Sequence, residues 1–138
     1  MKNIIFILAL TSFGLMDTAL SQRAKSEIQV TAKFQIHEGK LHAFKQLAAQ
    51  CLKSVKEKDT GTLQYDWYYN NTGTMCIVRE TYKNSEAILE HSGNLGDLLD
   101  SLLAISDFSA EIYGSPSDEL LGALAGLDLT VFDFSQGM

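Results

Sequence analysis

The chain has 138 residues, 46% of them hydrophobic, one proline and a net charge of −6. With 11 basic against 17 acidic residues and no basic cluster, it lacks the electrostatic footprint of a nucleic-acid or anionic-membrane binder. It is long enough for one domain with a modest core.

Residues 1–21 read as a signal peptide. Lys2 is followed by the apolar run Ile4–Leu10, and Ala19-Leu20-Ser21 offers small residues for cleavage before Gln22. Gly14 and Asp17 interrupt the run before it reaches the ~20 residues of a membrane span. The expectation is an exported protein, periplasmic or secreted, free of the membrane after cleavage, with one domain at residues 22–138. Export would permit a disulfide between Cys51 and Cys76. Their heights along a helix and a strand differ by roughly 10 Å, beyond the ~7 Å Cα limit, so both read as core thiols.

From Glu27 to Ile36, Ile28, Val30, Ala32, Phe34 and Ile36 alternate with polar residues, the pattern of a half-buried strand. After the turn at His37–Lys40, apolar residues recur at three and four as far as Lys58, predicting a helix that Asp59-Thr60-Gly61 ends. Thr62–Asn70 is an aromatic strand with Tyr65, Trp67 and Tyr69 on one face. Asn70-Asn71-Thr72-Gly73 is a hairpin turn, and Thr74–Tyr82 returns antiparallel. Asn84 or Ser85 caps a helix running to His91, and a second helical stretch follows Gly93, from Asn94 to Ile105. Phe108–Tyr113 is a fourth strand. A short helix at Asp118–Leu124 and a strand at Leu127–Phe134 close the chain. The order β-α-β-β-α-β over Glu27–Tyr113 predicts an α+β, ferredoxin-like unit with a C-terminal helix–strand extension. Such a sheet leaves one face and two edges bare, which an extension or a second subunit would cover.

The stretch Met75–His91 places Arg79, Glu80, Tyr82 and His91 around one strand-to-helix corner. An acid, a phenol and a base at one cleft suit proton chemistry. Glu80 and Tyr82 share a strand face and Arg79 takes the other. A structural role for His91, and a core or interface role for Tyr65, Trp67 and Tyr69, are the competing readings. His37 and His42 lie apart from His91, no metal-ligand spacing occurs, and no glycine-rich phosphate loop follows a strand. No metal or nucleotide cofactor is implied.

The first strand running into His37-Glu38-Gly39-Lys40, the Lys56–Gly61 stretch before an aromatic strand, and Glu80-x-Tyr82-Lys83-Asn84-x-Glu86-Ala87-x-x-x-x-His91 together resemble the antibiotic biosynthesis monooxygenase family. That resemblance implies a homodimeric α+β barrel with a pocket in each subunit between sheet and helices. It implies oxidation of a small phenol- or quinol-type aromatic by O2 without flavin, metal or haem. His91 and Glu80 would be catalytic, with Tyr82, Trp67, Tyr65, Arg79 and Asn70 around the substrate. Haem-degrading relatives have Trp where this chain has Tyr82, which disfavours that activity. A non-oxidative isomerase or lyase of a small metabolite, or a ligand-binding dimer without catalysis, are the alternatives.

Overall fold

The structure is a computed structural model that describes residues 26–138. The expected signal peptide and its cleavage point lie outside the described residues. The elements are β1 (Ile28–Ile36), α1 (Leu41–Lys58), β2 (Thr62–Tyr69), β3 (Met75–Tyr82), α2 (Ser85–Leu95), α3 (Asp97–Leu103), β4 (Ser106–Tyr113), α4 (Asp118–Ala123) and β5 (Leu129–Phe132). The sheet order is β2-β3-β1-β4-β5, antiparallel except for the β4–β5 pair. The first four strands form the ferredoxin-like unit. The extension adds β5 to the β4 edge of its own sheet, so the tail lengthens the sheet instead of crossing its bare face. No helix among the described residues is long and apolar enough to cross a membrane.

The alternation in β1 becomes burial: all five of its apolar residues are buried, while Gln29 and Gln35 are exposed. Phe34 lies at the centre, in edge contact with Phe44 of α1 at 5.4 Å and against Phe108 at 5.0 Å. Cys51 and Cys76 are both free and buried in this cluster, and burial pushes each thiol up to about 11. A second cluster joins Ile28, Val30, Tyr82, Ile88, Ile112 and Leu120.

Asn84 caps α2, its side chain accepting from the Ala87 amide at 3.0 Å. Ser85 instead accepts from the Ser117 amide at 2.9 Å, tying the start of α4 to α2. The second helical region breaks at Gly96 (φ 47°), not at Gly93, so His91 lies well inside α2. Gly96 is the position that adopts a left-handed φ.

Candidate active site

The strand registers lay out one face of the sheet. Tyr65, Glu80, Val30 and Ile112 are successive partners across β2, β3, β1 and β4. Two residues along, Trp67, Val78, Ala32, Ala110 and Leu129 form the next row. Helices α2 and α3 cover this face, and a cavity of about 70 Å³ remains between the layers. Tyr65, Glu80, Tyr82, His91 and Ser92 are its polar lining residues.

Tyr82 and Glu80 stand two residues apart on one strand, and the Tyr82 hydroxyl donates to Glu80 Oε2 at 2.7 Å. Burial pushes the Glu80 carboxyl up to about 7, against the opposing hydrogen bond from Tyr82. Burial, and then the nearby Glu80 charge, hold the Tyr82 phenol well above its ordinary value.

His91 does not meet Glu80. Its Nδ1 lies 2.7 Å from Asp59 Oδ2. The ring packs edge-on against Tyr65 at 5.0 Å and Tyr82 at 5.3 Å. Asp59 follows the last residue of α1. Besides His91 it accepts from Thr62 Oγ1 at 2.6 Å and Asn94 Nδ2 at 2.8 Å. Burial raises this carboxyl, but its hydrogen bonds outweigh that effect and hold it below the ordinary range. An ionised carboxylate accepts only, so His91 Nδ1 carries the proton and Nε2 keeps its lone pair, on a residue that lines the cavity. Burial lowers the His91 pKa and the Asp59 contact opposes that, leaving a neutral imidazole at neutral pH.

Local sequence explains how this corner closes. A register shift between Thr62 and Gln64 marks a bulge, which lets Thr62 reach Asp59 while Tyr65 faces inward. Gly61 lies so close to α2 that a Cβ there would come within 2.4 Å of Ala87 Cβ. Glu90 accepts from the Thr60 amide at 3.1 Å, and Ser54 donates to the Asn94 carbonyl at 2.9 Å. The end of α1 is thus pinned to α2, and Asp59 with it.

Of the residues expected at the site, Glu80, Tyr82, Tyr65 and His91 line the cavity and Trp67, Arg79 and Asn70 do not. Trp67 is partly buried and packs against the core, ring-stacked with Phe34 at 6.3 Å. Arg79 is exposed on the opposite sheet face, as the two-residue repeat requires of a neighbour of Glu80. Asn70 braces the hairpin: its Oδ1 accepts from the amides of Thr74 at 2.9 Å and Met75 at 3.0 Å. Asp59 was read from sequence only as part of a helix stop. The register could have found it, because Thr62 pairs with Tyr82 and so brings the end of α1 to the start of α2. Among the described residues, no group of three or more His, Cys, Asp or Glu side chains is placed to hold a metal ion.

The fold matches solved structures. MupZ from Pseudomonas fluorescens superimposes with a TM-score of 0.72 at 25% identity, over 82% of this chain and 93% of that one. A conserved protein from Methanosarcina mazei matches with a TM-score of 0.61 at 18% identity, over 69% and 98%. SnoaB, a cofactor-independent oxygenase from Streptomyces nogalater, matches with a TM-score of 0.56 at 12% identity, over 67% and 95%. None of the curated proteins matches the sequence. The family model described as antibiotic biosynthesis monooxygenase matches residues 28–95, from β1 through α2, and so includes Asp59, Glu80, Tyr82 and His91: the chain carries a domain of that monooxygenase family.

Proposed function

We propose that the domain is a cofactor-independent monooxygenase in which His91 Nε2 deprotonates a small phenol- or quinol-type substrate and the resulting anion reacts with O2. The observation that carries this reading is the His91–Asp59 contact at 2.7 Å, which leaves a basic nitrogen on a residue lining a partly enclosed, mostly apolar cavity. For a phenol the reaction balances with the substrate as the only reductant: phenol plus O2 gives quinone plus water. The ring anion forms the C–O bond, and the second oxygen leaves as water once protonated. Glu80, protonated over part of the neutral range, is placed to give that proton. An oxygen electrode with simple quinols tests the reading. O2 uptake is expected, with a fall of at least roughly two orders of magnitude in folded His91→Ala. Normal turnover by that variant would remove His91 from the chemistry.

The acid held near neutrality favours a second reading, a non-oxidative isomerase or lyase using His91 as base and Glu80 as acid. Product formation under strict exclusion of O2 selects it. We also propose a homodimer formed through the uncovered sheet face. Tyr68 is 55% exposed there on β2, and at the far side of the same face Tyr113 of β4 stacks on Phe132 of β5 at 5.3 Å. Light scattering that finds a monomer at micromolar concentration refutes the dimer. Export remains a proposal from residues 1–21, and mass spectrometry that finds Met1 on protein from the native host refutes it.

A further inference from the structure

The cavity is polar at one end and hydrocarbon at the other. All of its polar side chains come from β2, β3 and α2. Strands β1, β4 and β5, and the segment joining α4 to β5, supply only apolar ones. Leu129 lies three strand spacings from β3, about 14 Å at ~4.8 Å per strand. Between them Ala32 and Ala110 are cross-strand partners, both buried, and their small side chains keep the middle of the floor low. The far wall is Leu124, Leu127 and Leu129, all beyond the residues matched by the family model.

Charge narrows the occupant. No lysine or arginine lines the cavity. Glu80 borders it and Asp59 lies directly behind His91. A carboxylate or phosphate on a ligand would be buried beside acidic groups with no counter-charge.

Size adds a constraint. The cavity of about 70 Å³ is small against the ~300–1,000 Å³ of most ligand sites, so a larger occupant displaces a wall. The polar end is pinned by the bonds around Asp59. The far wall is held more lightly: β5 is a four-residue edge strand, and the segment before it turns at Gly126 (φ 108°).

We infer that the cavity takes an uncharged amphiphile. Its oxygen-bearing head sits at Glu80, Tyr82 and His91, and its hydrocarbon part runs across β1 and β4 to Leu124, Leu127 and Leu129, which set the length accepted. This rests on the reading of this cavity as the substrate site, but not on the reaction performed there.

The test is calorimetric titration at pH 7.5 with 4-alkylphenols of increasing chain length and the matching 4-alkylbenzoates. Affinity for the phenols should tighten about fourfold per added methylene up to a limiting length. The benzoates should bind at least roughly tenfold more weakly, having lost a charge's solvation without a partner. Leu127→Ala should lengthen the limit by about one or two carbons, and Ala110→Val should shorten it. Thermal unfolding confirms that each variant is folded, and either one alone decides the point. Equal binding of benzoates overturns the uncharged head. A limit unchanged in a folded variant overturns the assigned wall. No binding of any phenol at millimolar concentration overturns the inference as a whole. Binding is read without turnover, so failure of the oxygenation reading is registered only by the O2 electrode.

Discussion

The corner behind His91 and the strand in front of it each hold a carboxyl group, and the two are pushed in opposite directions from their ordinary pKa values. Asp59 collects three donors, from Thr62, His91 and Asn94, and stays ionised despite burial. Glu80 has one protein donor, the Tyr82 hydroxyl, and burial prevails. Burial pushes both carboxyls up; three hydrogen bonds overcome it at Asp59, and the single one at Glu80 does not. The result is an acid and a base within one wall, the arrangement from which one site can both remove and return a proton.

The largest effect should come from Asp59→Asn. The amide no longer forces Nδ1 to carry the proton, so the lone pair at Nε2 is no longer assured. Turnover should fall by roughly two to four orders of magnitude. Nitrogen-15 shifts of His91 should show a change of tautomer even before a substrate is in hand, and an unchanged tautomer would break the assignment of Asp59 as the positioning residue.

Glu80→Gln should act through pH. Glu80 moves from an ordinary value of 4.5 to about 7 on folding, so the folded state binds the proton more tightly. Its contribution therefore becomes unfavourable as pH rises from about 4.5 through 7. Denaturant titrations should find the variant close to the parent at pH 5 and relatively more stable at pH 8, by up to about 3 kcal/mol. A difference that is the same at both pH values would mean that Glu80 is not held as an acid.

Thr62→Val is the mildest test. It removes one of the three donors to Asp59, for a loss of about 1 kcal/mol, and should raise the Asp59 pKa without touching Glu80. Carboxyl-resolved NMR titration separates the two.

Strands and helices were legible wherever one period governed burial. The alternation in β1 needed nothing else, and the three-and-four spacing of Phe44, Ala48, Cys51 and Val55 marked the buried stripe of α1. The break in the second helical region was misplaced because Gly93 and Gly96 look alike in sequence, while only Gly96 takes a positive φ. β5 proved shorter than the apolar run Leu127–Phe134, because only Leu129–Phe132 has a partner on β4. At the site, Glu80 and Tyr82 followed from the two-residue repeat. The partner of His91 did not, because it lies 32 residues earlier in the chain and only pairing of β2 with β3 brings it near. Arg79 and Asn70 were expected at the site through the resemblance; Arg79 takes the opposite sheet face and Asn70 braces the hairpin, so neither reaches the cavity.

Trp67 makes the protein its own optical probe. It is the only tryptophan in the chain, and its indole N–H is buried with no acceptor among the described residues. Its ring meets Tyr65 edge-on at 5.4 Å, and Tyr65 is one of the aromatic residues that line the cavity. Emission excited at the red edge therefore comes from one partly buried site whose N–H is shielded. A ligand that shifts Tyr65 should move the band, so occupancy of the cavity can be followed in real time without a label.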